Sequence, residues 1–369
     1  IRVAINHVEG LANKITSGRY NHVIGRGNLL SSGDNNVVEG YKNSLTNSNT
    51  AHVGGFQNEI TSSSYSVVFG NENTITNSDS TYIFGGGNTA SQTTAYTAIF
   101  GYGNAVYNST HNIISGYTNT VDRTFNSVVF GHSNRLNSGV MRSSVGGESN
   151  TVSKEVLSES HNNSLSGFSN TLSDMHDTIA AGAYNDVQYA MGSAVVGTHN
   201  TVALDAYEGS KAKSRGITYS FIGGAYNEVK QTESSIVVGS TNKIKDYRPH
   251  GVPSEWRLSS HNSVSGDNNT ANGMYSTMLS GHKNTISNIH DSIIGGSTNN
   301  IDGLDTPASG YSNSVLCMAL RSNVQNHSEP QIIFGSDNVV KGNNSLTSGV
   351  GLKSSSNNSA TFGKFNEED

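Results

Sequence analysis

The chain of 369 residues carries a net charge of -6, with 14% charged residues, 41 glycines and one cysteine. A charged fraction so far below the ~25% of ordinary domains, with no basic excess, excludes a broad phosphate-neutralising surface and with it a nucleic-acid partner. The lone Cys317 excludes an intrachain disulfide, and no window approaches the ~18 apolar residues of a membrane span, so no membrane insertion is expected.

From its first residues the chain repeats. Gly10, Gly25, Gly40, Gly55, Gly70 and Gly85 recur at every fifteenth position, and Gly101, Gly116, Gly131 and Gly147 follow at the same spacing or one more. Then come Gly167, Gly182 and Gly197, then Gly224 and Gly239, then Gly266, Gly281, Gly296 and Gly310, and last Gly335, Gly349 and Gly363. Of these 22 glycines, 21 are followed three residues on by Asn, as Gly70 is by Asn73 and Gly131 by Asn134; Gly349, followed by Leu352, is the exception. A short fixed period over a whole chain means a solenoid, whose units bury their apolar side only against one another.

Fifteen residues are too few for the usual helical repeats, and the units are rich in Gly, Ser, Asn and β-branched residues, which indicates strands. One apolar position recurs two residues before the Gly (Val23, Val38, Val53, Val68, Ile83) and another two residues after the Asn (Leu30, Leu45, Ile60, Ile75). The expected fold is all-β: one parallel β-roll or β-solenoid domain over residues 1–369, with about 22 coils of two short strands each. The Gly supplies a corner with positive φ. The Asn tolerates such corners, and its amide can bond the turn backbone and its own copies along the stack.

The strand before the Gly departs from simple alternation. Val67, Phe69, Tyr82, Phe84, Phe100, Ile113, Val128 and Phe130 flank its inward position and should point outward, yet all are apolar or aromatic. Strands apolar on both faces are covered on both, and a contiguous apolar stripe marks an association surface. A cyclic homo-oligomer is the simplest arrangement that covers it.

Insertions near 153–162, 204–218, 246–261 and 316–329 keep the flanking repeats in phase and should leave the body as loops. Two of them concentrate Tyr207, Tyr247, Arg248, Trp256 and Arg257, aromatic faces and guanidinium donors suited to a surface glycan. A polysaccharide-cleaving enzyme would need a carboxylate pair. Asp205 with Glu208 and Asp246 with Glu255 are the loop candidates, but solvated loop acids are the commoner reading and no catalytic residue is assigned. His132, His199 and His282 sit in Gly-x-x-Asn turns without metal-ligand spacing. Gly85-Gly86-Gly87 lacks the Lys-Ser/Thr and helix of a phosphate loop. No metal or cofactor is expected.

With motifs such as Ser235-Ile236-Val237-Val238-Gly239 and Ser292-Ile293-Ile294-Gly295-Gly296, the chain resembles the left-handed β-roll heads of YadA-type trimeric adhesins, although it carries Asn where those heads favour Ala or Ser. It is also similar to the Gly-x-x-Asn repeat regions of phage tail appendage and tail spike proteins, which precede a self-cleaving intramolecular chaperone. The ending Gly363-Lys364-Phe365-Asn366-Glu367-Glu368-Asp369 carries that resemblance and implies a processed C-terminus. What the resemblance implies is a left-handed homotrimer on a virion tail or an extracellular surface. Such a fibre would be structural and host-attaching, with other tail or particle proteins and a cell-surface polysaccharide or other receptor as partners. The alternatives are a tail spike depolymerase and a bacterial trimeric surface adhesin.

Overall fold

The computed structural model describes residues 5–154, 160–203, 217–245 and much of 259–364, apart from positions 93, 138, 231, 234 and 242 and short segments after residue 260. Among these residues the chain is an all-β parallel solenoid of about 15 turns with no helix. It divides into two compact units, Ile1–His176 and Asp177–Asp369.

In the first unit each coil has the plan of the one built around Gly70. Strand β1, Val67–Asn71, crosses a corner to the short strand β2, Thr74–Thr76. A third side closes through Asp79, which pairs with Ala95 one coil on. Successive coils pair in parallel, so that Val68 faces Ile83, Phe69 faces Phe84 and Gly70 faces Gly85. On the second side Ile60, Ile75 and Ala90 form one line.

The expected aliphatic ladders are both present: Val23, Val38, Val53, Val68, Ile83, Ile99 and Ile114 in one, Leu30, Leu45, Ile60 and Ile75 in the other, all fully buried. The interior holds more than these two. Asn43, Asn58, Asn73 and Asn88 are equally buried, as are the hydroxyl columns Ser48, Ser63, Ser78 and Ser66, Thr81, Thr97. Five side chains of a coil therefore point inward, and three of them are polar.

The Asn column explains why polar groups are tolerated there. The Asn73 Nδ2 donates to Asn58 Oδ1 at 2.9 Å and to the Gly85 carbonyl at 2.8 Å, and its backbone N–H donates to the same Oδ1 at 3.1 Å. Its own Oδ1 accepts from the backbone and side-chain N–H groups of Asn88 at 3.0 and 3.1 Å. Asn134 repeats the pattern with Asn119 and Gly147. Each amide is thus saturated by the coils before and after it, which removes the penalty for burying it. The Gly follows from the same geometry. Gly70 has φ of +136°, and a Cβ there would overlap the carbonyl oxygen of Gly85, the group that the amide of Asn73 binds.

The Gly has the positive φ expected of it, and the left-handed residue beside it is not the Asn but the one before the Asn. Lys42, Gln57, Glu72 and Ser133 have φ between 51° and 57°. Along the strands N–H groups donate toward the next coil, as Thr74 does to the Asn88 carbonyl. The left-handed residue turns its N–H the other way: Glu72 donates to Phe56 of the preceding coil at 2.9 Å, and Asn77 and Ser80 do the same to Thr61 and Ser64. Corners therefore stay in the inter-coil hydrogen-bond network, which offsets the ~1 kcal/mol cost of the conformation.

The second unit keeps this register in Gly182, Gly197, Gly224, Gly239 and Gly266. The expected insertions at 204–218 and 246–261 fall largely outside the described residues, and Ile217–Thr218 and Ser259–Ser260 resume the third side beyond them. The stretch 316–329 differs from expectation. Val315–Gln325 is an 11-residue strand in register with Ser292–Asp302, with Ala319 opposite Gly296 and Gly335. Ala319 thus takes the place in the register that the repeat count gave to Gly310, which lies outside the described residues. Leu352, in place of an Asn, is fully buried.

Gly70→Ala should lower stability by more than about 3 kcal/mol in chemical denaturation. Gly103→Ala, where a Cβ meets only the Thr118 methyl at 3.2 Å, should cost about 1 kcal/mol. Asn73→Ala should cost about 3 kcal/mol by stranding partners in two coils, against under about 0.5 for Thr74→Ala on the outer face. Asn73→Asp would place a carboxylate against the acceptors Asn58 Oδ1 and the Gly85 carbonyl. Its folded pKa would rise, and part of its cost should disappear as pH falls through that value.

Candidate functional site, an outer apolar face

The five-residue strands run past the Gly, so three residues of each point outward: the first, the third and the fifth. In the first unit the first and third positions carry the residues expected at an interface. Val67 and Phe69 are half-buried, while Tyr82, Phe84, Phe100, Ile113, Val128 and Phe130 are 40 to 50% exposed. Their rings are ordered by one another. Phe69 stacks on Phe84 at 5.9 Å and Phe84 on Phe100 at 5.6 Å. The Phe69 ring lies over Gly54 and the Phe130 ring over Gly146, so closely that a Cβ at either glycine would displace the ring. His52 meets the Phe69 ring edge-on at 4.8 Å.

The fifth position adds a second ridge that the sequence reading missed by ending the strand at the Gly. Tyr41 stacks on Phe56 at 5.3 Å, with the Arg26 guanidinium 5.9 Å and the Lys42 ammonium 5.1 Å from the Tyr41 ring centre. Tyr102 stacks on Tyr117 at 5.4 Å, Tyr117 meets His132, and His132 Nδ1 lies 3.7 Å from Glu148 Oε1. The signal was available as an aromatic residue directly after the repeat Gly. In the second unit, Ile179, Val196, Phe221, Ile236 and Val238 are 41 to 53% exposed at the first and third positions of their own strands.

Tyr207, Tyr247, Arg248, Trp256 and Arg257, with the acids Asp205, Glu208, Asp246 and Glu255, lie outside the described residues, as does His282. His199 is sandwiched between Tyr184 at 4.9 Å and Tyr226 at 4.7 Å. Among the described residues no three His, Cys, Asp or Glu side chains converge as metal ligands would.

The arrangement can do one thing chemically without a cofactor: exclude water against a matching surface. Stacking already restricts the rings, so covering them costs less entropy than covering isolated ones. No protein-family model matches the chain, and no curated protein matches it.

Proposed function

We propose that the chain is a structural and host-attaching fibre, a homotrimer whose subunits pack through the outer face of the five-residue strands. Each subunit would be a left-handed solenoid of about 22 coils, the number of repeat glycines. The observation that carries this reading is the exposed stripe of Phe84, Phe100, Ile113, Val128 and Phe130. The stripe repeats once per coil, at the ~4.8 Å spacing of paired strands. A partner that covers it over many coils needs the same period, and another copy of this chain has it. The number three, and a place on a virion tail or extracellular surface, follow the resemblance to trimeric adhesin heads and tail appendages. Attachment is assigned to the loops that hold Tyr207, Tyr247, Arg248, Trp256 and Arg257, each present three times per fibre so that weak contacts gain avidity.

Light scattering should give about 117 kDa, three copies of a 39.0 kDa chain. Phe84→Asp with Phe100→Asp should lower that mass toward one copy without loss of the β-sheet signal; a wild-type monomer would overturn the trimer. The double variant Tyr247→Ala, Trp256→Ala should remain trimeric and lose attachment to the host cell. Wild-type fibre should release no sugar fragments; released fragments would instead identify a depolymerase.

A further inference from the structure

A second feature of the first unit lies on the side of the three-residue strands. Two coils there are longer than their neighbours by a single residue. The register offset is 16 at Ser91 opposite Tyr107 but 15 at Ala95 opposite Thr110, so the extra residue falls between Ser91 and Ala95. Likewise Val121 faces Leu136 at 15 and Phe125 faces Met141 at 16, which places the other between Leu136 and Met141. Both additions occur at the same corner, directly after the short strand. The two coils between them keep the ordinary length. A shallow concavity of about 450 Å³ lies beside this corner, its lining including Gln92, Tyr107, Asn108, Asp122, Arg123, Arg135 and Asn137.

Its chemistry is specific. Gln92, Asn108 and Arg123 share the left-handed conformation, with φ of 59°, 48° and 51°, which brings their side chains out in one column. Asn108 Nδ2 donates to Gln92 Oε1 at 3.1 Å. Tyr107 is half-buried. Arg123 is paired with Asp122 at 3.2 Å. Arg135 is exposed and makes no ion pair among the described residues. Lys154, beside Gly139 on the adjoining coil, lies outside the lining.

We propose that this concavity binds an acidic saccharide. The Tyr107 ring takes the C–H face of a sugar, Arg135 takes the carboxylate of a uronic acid, and the amides of Asn108, through its Oδ1, and Asn137 take vicinal hydroxyls. The lining holds no apolar pocket for a peptide anchor, and the cations are too few and too local to follow a nucleic-acid backbone. This inference gives a ligand class to the attachment reading and rests on that reading for its purpose, not for its chemistry.

The test is isothermal titration of the full chain with oligogalacturonate and oligomannuronate, with maltohexaose as the neutral control. At least one uronate should bind and maltohexaose should not. Arg135→Gln and Tyr107→Ala, both on the outer face, should each weaken binding roughly tenfold or more with unchanged melting curves. Failure of both uronates to bind, or equal binding by the Arg135→Gln variant, would overturn the site. Binding that salt abolishes and Tyr107→Ala leaves unchanged would show charge attraction alone and overturn it too. A trimer that ignores uronates removes this site and leaves the fibre standing; a monomer that binds them does the reverse.

Discussion

The bond from each Asn amide to the Gly carbonyl of the next coil is the constraint on which the remaining structure depends. It fixes two residue types at once. The amide must both donate and accept to be saturated from above and below, which Asp cannot do and Gln would overreach. The residue bearing the carbonyl must lack a Cβ, because the next coil's oxygen occupies that space. The amide column also accounts for a composition that would suit a disordered chain. With 33% hydrophobic residues the chain has too little apolar surface for an ordinary core. A coil only five inward side chains around needs little, provided that its polar members are satisfied by their own copies.

Once the interior is so constrained, the outside is free, and the two candidate sites differ in how they use that freedom. The apolar face keeps one character over many coils, from Val67 to Phe130, which suits a partner with the same period. The concavity near Tyr107 arises where the period itself slips by one residue twice, so that neighbouring coils stop being equivalent. A periodic surface recognises a periodic partner, and a local break in the period makes a place where a small ligand can be distinguished.

What could be read in the sequence was whatever combined fixed spacing with an uncommon residue type. The repeat Gly, the Asn three places on and the two aliphatic columns have that property, and the outward Phe residues broke an alternation that was otherwise regular. Ser48, Ser63 and Ser78 also recur at the repeat spacing, but Ser is so common here that the column does not stand out. The left-handed residue before the Asn was invisible because Lys42, Gln57 and Glu72 have nothing in common except their backbone. Gly18 with Asn21 and Gly33 with Asn36 repeat the same motif at the third corner: Asn21 Nδ2 donates to the Gly33 carbonyl at 2.8 Å and Asn36 Nδ2 to the Ser48 carbonyl at 2.7 Å. They lie out of phase with the series of Gly10, Gly25 and Gly40. Gly310 with Asn313 erred in the other direction, since a four-residue motif cannot say whether it lies in the register. The lengthened intervals were plain in the glycine spacing, but only pairing shows at which corner the added residue sits.

The hydrogen bonds that join successive coils of the first unit run along its stacking direction, corners included, because the left-handed residues turn their N–H groups into the same direction. Tension applied to the chain ends would load these bonds a coil at a time and not all together, as in opening a zipper. Each coil that gives way would release about 50 Å of chain, at ~3.4 Å for each of its fifteen residues. A single solenoid pulled from its ends would therefore lengthen in many equal small steps at modest force. Side-by-side packing through the apolar face would change that response, since a coil could peel only after its stripe residues had left the neighbouring chains. In an assembly packed through that face, the contacts that join the chains would also set the force at which their coils open.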